Sequence, residues 1–322
     1  MTAADHHRGA LMAAGGMLLL SPEGMLLRLV EQAGTWEISF WRTLFIGLGV
    51  GTLLAVRHGR GLGRRLAGIG RLGALAVALQ ATSHLCFVGA ITNTSVANTL
   101  VLLATMPFFS ALFGWLILRE RVARRTLVAI VVAVAGIVVI FSDALGGGVL
   151  FGDALALATG ALHGLNLVVL RRTGHGIILP AMCLAGFVAS LAALPLAADP
   201  WAVSAHDFGI LALIGFVQVP VAFALFFGGT RYIPAAEVAL MSLIETVLGP
   251  VWAWLAVGET PALLSVIGGT VVVTAIAVNS ILALRRGAPA PPGGPPEGAP
   301  AQAPAPAGTD PPARGTGRGA GR

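Results

Sequence analysis

Ten apolar runs, most of them close to twenty residues long, are separated by short polar stretches along this chain. They cover 10–30, 37–56, 72–91, 95–118, 123–142, 150–170, 178–197, 207–228, 234–257 and 262–284. A helix needs about 20 residues to cross the hydrocarbon of a bilayer. Barrel strands would be shorter and would alternate apolar with polar positions, which these runs do not. In lipid a helix satisfies its own backbone hydrogen bonds. The pattern therefore predicts an all-α integral membrane protein with ten transmembrane helices. The first run continues from Ala10 to Leu29 without a convincing small-residue cleavage site, so it reads as a span and not as a removed signal. From Gly287 onward the chain is Pro, Ala and Gly with a few Arg, a composition that predicts a disordered tail.

The runs also repeat at a spacing of 139 positions. Phe87 recurs as Phe226, Gly89 as Gly228, Ala97 as Ala236, Trp115 as Trp254, Leu116 as Leu255 and Glu120 as Glu259. Apolar matches carry little weight in so hydrophobic a chain. The Trp and Glu matches carry more, because there are only 6 Trp and the two matches recur at one shared spacing. Each unit holds five spans, and an odd number turns the second copy upside down. The expected organisation is a short N-terminus over 1–9, repeats over 10–142 and 143–284, and the tail over 285–322.

Charge adds an orientation. Arg57, Arg60, Arg64, Arg65 and Arg71 follow the second span, and Arg119, Arg121, Arg124 and Arg125 the fourth. Arg171 and Arg172, Arg231, and Arg285 and Arg286 follow the sixth, eighth and tenth. The opposite loops hold Glu31, Asp143, Asp199 and Asp207, with Arg28 at their edge. By the positive-inside rule both termini are cytoplasmic. Trp36, Trp41 and Trp201 fall at the expected interfaces. Only 11% of residues are charged and the mean hydropathy is +0.87, which leaves too little polar surface for a soluble domain. The net charge of +6 lies in loop and tail arginines and is read as topology, with no nucleic-acid partner. Cys86 and Cys183 sit in apolar runs as packing residues. No cofactor or metal is implied.

An ionisable residue inside a span costs at least a few kcal/mol and asks for a reason. Glu245 stands mid-way along the ninth span, on one helix face with Glu237 and Met241, and Pro250 follows. That pattern suits a cation, a proton or an amine; the bland alternative is a protonated carboxyl bonded to a neighbouring helix. Arg42 in the second span either snorkels outward or faces inward toward a carboxylate or an anionic substrate group. His84 and His163 are candidates for proton relay, with a bond to helix backbone as the alternative. Gln80 and Gln218 contact substrate or knit helices together. Asn98 matches Glu237 by register. Glu237 itself reads as a helix-start carboxylate that complements the dipole, and Glu120 and Glu259 read as structural. Ser21-Pro22-Glu23-Gly24 interrupts the first span, and a broken helix at midplane is a common device for a substrate or ion site, with Glu23 turned inward. Pro22, Pro107, Pro220 and Pro250 are candidate hinges.

Two stretches resemble the drug/metabolite transporter superfamily, in particular its EamA-like group. One is Ser39-Phe40-Trp41-Arg42 together with the run from Ala90 to Phe141, which begins AITNTSVANTLVLLATMPFFSALFGWLILRERV. The other is its counterpart from Tyr232 to Glu259, YIPAAEVALMSLIETVLGPVWAWLAVGE. The second half departs from the pattern, because Thr246 stands where Pro107 would repeat. The resemblance covers about residues 10–284. It implies a bacterial inner-membrane carrier, most often an exporter of metabolites such as amino acids, or of drugs. It also implies a cavity lined by the third, fourth, eighth and ninth spans, which would bring Gln80, His84, Asn98, Gln218 and Glu245 near a small-molecule substrate.

The leading expectation is a secondary transporter working by alternating access, with proton coupling through Glu245, His163 or Glu23, and substrate contacts from Glu245, His84, Gln80, Gln218, Asn98 and Arg42. A non-transporting membrane scaffold or sensor is the alternative, resting on the tail. An intramembrane enzyme fits poorly: Ser83 and His84 adjoin, but neighbouring helix positions point about 100° apart. A Walker A run needs a lysine and the chain has none.

Overall fold

The computed structural model describes residues 3–59, 63, 66, 68–119, 122–147, 149–173 and 177–285, which belong to one compact unit, Met1–Gly287. Glu120, Arg60, Arg64, Arg65, Arg121 and the tail lie outside the described residues. Among the described residues every regular element is helical: α1 Ala3–Leu20, α2 Glu23–Arg28, α3 Thr35–His58, α4 Gly70–Asn93, α5 Val96–Leu103, α6 Met106–Leu118, α7 Arg124–Gly147, α8 Leu150–Thr173, α9 Ile178–Ala193, α10 Ala205–Ala212, α11 Val219–Gly229, α12 Ala235–Val257 and α13 Leu263–Arg285. They form ten spans long and apolar enough to cross a membrane, as the hydropathy pattern predicts.

Three spans are built from two pieces. In the first, α1 ends at Leu20 and α2 begins at Glu23, because Pro22 lacks an N–H and its ring clashes with the preceding turn. The carbonyls freed by the break find donors. Ser21 Oγ donates to Leu18 O at 2.8 Å and Gln218 Nε2 to Leu19 O at 2.9 Å. Trp252 Nε1 in turn donates to Ser21 Oγ at 2.9 Å. The fourth span breaks between Leu103 and Met106, just before Pro107, and Thr105 Oγ1 donates to Leu102 O at 2.5 Å. In the eighth, a π-helical turn over Leu213–Gln218 leads into α11, with Pro220 in its first turn. Pro250, by contrast, lies inside the continuous α12.

The packing follows a pseudo-two-fold relation between the halves. The second span packs along the seventh, the fifth along the tenth and the fourth against the ninth. The first packs on the eighth as the third packs on the sixth. Each pairing maps onto itself or another when every span is exchanged for its counterpart five along. At the second–seventh crossing two glycines from equivalent repeat positions meet. A Cβ on Gly186 would lie 2.6 Å from Gly47 N and 2.7 Å from Thr43 O. The fourth and ninth spans end alike too: Arg119 (φ 55°) and its counterpart Gly258 (φ 68°) both take the left-handed conformation. Trp115 and Trp254, the repeated tryptophans, are both exposed on the outside of the bundle, at 54% and 55%.

Candidate functional site

Glu23 opens α2, where a carboxylate complements the N-terminal end of a helix, and it is only 4% exposed. Arg42, from α3, is 3% exposed and turns inward: its Nε donates to Glu23 Oε1 at 2.8 Å, and its Nη2 reaches the same oxygen. The guanidinium also lies over the Phe87 ring of α4, 5.1 Å from the centroid. Arg42 Nη1 is buried without a hydrogen-bond partner. Nearby on α4, His84 is 4% exposed and its Nε2 is likewise unpartnered.

Glu245 of α12 stands within electrostatic reach of both Glu23 and Arg42, so four spans converge on this cluster. Glu245 is enclosed by the bundle yet retains some accessible surface. It makes no hydrogen bond or ion pair among the described residues. The cluster is thus a compensated pair, Glu23–Arg42, beside one uncompensated carboxyl group.

The other expected residues are engaged between helices. His163 Nδ1 lies 2.8 Å from Ser83 Oγ and 3.1 Å from Thr159 O, and its Nε2 lies 3.3 Å from Gln80 Nε2. Asn166 Nδ2 donates to Gln80 Oε1 at 2.7 Å, so the Gln80 amide nitrogen faces the ring and the Nε2 it meets is an acceptor. That amide orientation goes with a His163 ring carrying its proton on Nδ1, toward Thr159 O. Ser83 meets His163 and not the adjoining His84; it is fully buried, and the bond clasps the third span to the sixth. Gln218 braces the first-span break, with its Oε1 unpartnered. Asn98 Nδ2 donates to Asp153 Oδ1 at 3.1 Å, and Thr94 Oγ1 donates to the same oxygen at 2.5 Å. At the equivalent helix start, Glu237 accepts from His6 Nε2 at 3.0 Å.

Two carboxylates that the sequence reading left in loop or structural roles tie the bundle together. Asp207 accepts backbone N–H bonds from Glu31, Gln32 and Ala33 at 3.1, 2.9 and 3.1 Å, fixing the turn between α2 and α3. Glu259 accepts from Val96 N at 2.6 Å and pairs with Arg28, whose Nε lies 2.8 Å away as an ion pair without hydrogen-bond geometry. Arg28 Nη2 donates to Thr94 O at 2.5 Å. This latch joins the first, fourth and ninth spans beside a cleft of about 510 Å³ lined by Arg28, Thr94, Ser95 and Glu259. Glu259→Gln is expected to lower stability by about 1–2 kcal/mol. In a double-mutant cycle with Arg28→Met most of that loss should vanish, and an additive pair would remove the latch.

Broken helices, inverted halves and charged groups converging between them define a polytopic membrane transporter. The model of the EamA-like transporter family matches residues 7–142 and 150–281, once over each half. The chain belongs to this family, a transporter family of the drug/metabolite type. The two matches begin 143 positions apart and end 139 apart, in keeping with the repeat spacing of the sequence. Among solved structures, one titled "Crystal structure of protein" matches with a TM-score of 0.61 and 18% identity over 86% of this chain and 98% of that one, a likeness of fold. No curated protein matches.

Proposed function

We propose that this protein is a secondary active transporter of the bacterial inner membrane that exports a small metabolite or drug by alternating access. Both termini lie in the cytoplasm, as the arginine bias of the loops supports. Glu245 exchanges a proton with the gradient, and Arg42 and His84 supply hydrogen bonds to the substrate. The observation that carries this reading is Glu245 itself: an intramembrane carboxyl without a hydrogen-bond or ion-pair partner among the described residues, within electrostatic reach of an arginine that already has one. Glu23 and Arg42 lie within electrostatic reach of it, as His84 and His163 lie within reach of Arg42. Gln80, Asn98 and Gln218 hold helices in register around the site, and Pro22 and Pro107 mark the joints about which half-helices move. The export direction is taken from the family resemblance.

In proteoliposomes loaded with a pH-sensitive dye, substrate addition is expected to move protons through the wild-type protein. Glu245→Gln should insert and fold normally but lose that signal. Unchanged coupling in the variant would overturn the role given to Glu245.

A further inference from the structure

The charge inventory of the cluster narrows what can occupy it. In the deprotonated state of Glu245, the one open to an occupant, Glu23 and Glu245 contribute two negative charges and Arg42 one positive. Glu23 takes up the charge of Arg42 through two guanidinium nitrogens. Glu245 is left without a hydrogen bond or ion pair among the described residues. A charge held away from water costs far more than the same charge in solution, so the favoured occupant restores neutrality. An organic anion would add repulsion. A zwitterion would leave the net charge as it was. A monocation cancels it.

Hydrogen-bonding capacity points the same way and adds a second requirement. Arg42 Nη1 is a buried donor without an acceptor. Gln218 Oε1, on the residue that braces the first-span break, is a buried acceptor without a donor. Phe87, under the guanidinium, gives the site an apolar wall, and His84 Nε2 adds one more free ring nitrogen.

We infer that the site takes a protonated organic amine, whose ammonium is received by Glu245 and whose own acceptor, a hydroxyl, carbonyl or ring nitrogen, is met by Arg42 or His84. This rests on the transporter reading above and deepens it. It makes the amine and the coupling proton alternatives on one carboxylate: each neutralises Glu245, and one must leave before the other enters. The amine brings and removes its own proton, and no covalent step is involved.

The test uses the full chain purified in detergent and three matched probe sets: tyramine, tyrosine and 3-(4-hydroxyphenyl)propionate; histamine, histidine and imidazolepropionate; isopentylamine, leucine and 4-methylpentanoate. Ligand binding to the folded state raises the unfolding midpoint. Titrating that shift ranks affinities within each set. The expected order is amine, then amino acid, then acid. The gap between amine and amino acid should be roughly tenfold or more in the best set, the size of a lost charged hydrogen bond. Glu245→Gln should abolish amine binding. Glu245→Asp, which keeps the charge, should bind more weakly but retain the order, and so guards against a folding defect. An amino acid or acid ranking first, no binding by any amine, or unchanged amine binding in Glu245→Gln would each overturn the inference. Gradient-responsive flux of an acid or amino acid that is lost in Glu245→Gln would leave the carrier reading standing while removing the amine. Amine binding without any flux would do the reverse.

Discussion

Arg42→Met alone is expected to destabilise the folded protein by about 3–5 kcal/mol, the usual consequence of leaving one member of a buried ion pair without its partner. Glu23 is 4% exposed, and among the described residues its only side-chain partners are the Nε and Nη2 of Arg42. Removing the guanidinium strands a carboxylate at the break of the first span. Glu23→Gln in the same background should recover most of the loss, since a neutral amide does not carry the cost of a buried charge. Unfolding in mixed detergent micelles reads both variants. If Arg42→Met shifted stability by less than about 0.5 kcal/mol, the size of an ordinary surface change, the pair would not be holding the broken helix in place.

Gly186→Leu is the second large effect expected, about 3 kcal/mol, at the upper end of the cost of overpacking. The atoms a Cβ would strike there are Gly47 N and Thr43 O, which are backbone and cannot rotate aside. The second and seventh spans would have to part, and with them the crossing on which the halves are related. Gly15→Leu is the matched control, since a Cβ there has nothing within 4 Å, and it should be close to neutral. Equal effects at the two positions would mean that helix propensity and not the crossing sets the cost.

What could be read in the sequence follows from what lipid enforces. A span must close its backbone hydrogen bonds within itself, so its length and hydropathy are written locally, and the ten spans were legible to within a few residues for most ends. The first-span break was legible for the same reason, because Ser21-Pro22-Glu23-Gly24 carries the interruption in its own residues. Partners across spans were not. Nothing in the spacing of residues 23 and 42 says that the two side chains meet, and Arg42 read equally well as a snorkelling residue. Ser83 adjoins His84 in sequence, yet it bonds His163 from 80 positions away, because the third and sixth spans share a face. Asp207 read as a loop acid, since its three backbone donors come from a turn more than 170 residues earlier. Asp153 left no signal in the sequence beyond being an acid in the first turn of a helix, although it holds Thr94 and Asn98. The Gly47–Gly186 meeting could have been found from the 139-residue register, but glycine is too frequent in this chain, at 43 residues, for one match to stand out.

The most direct measurement of the central claim is uptake into proteoliposomes of the amine that binds most tightly, with and without an imposed pH gradient, for wild type and Glu245→Gln side by side. The account predicts saturable flux that rises with the gradient in the wild type and falls to the level of empty liposomes in the variant. Flux indifferent to the gradient, or equal in the two proteins, would contradict it.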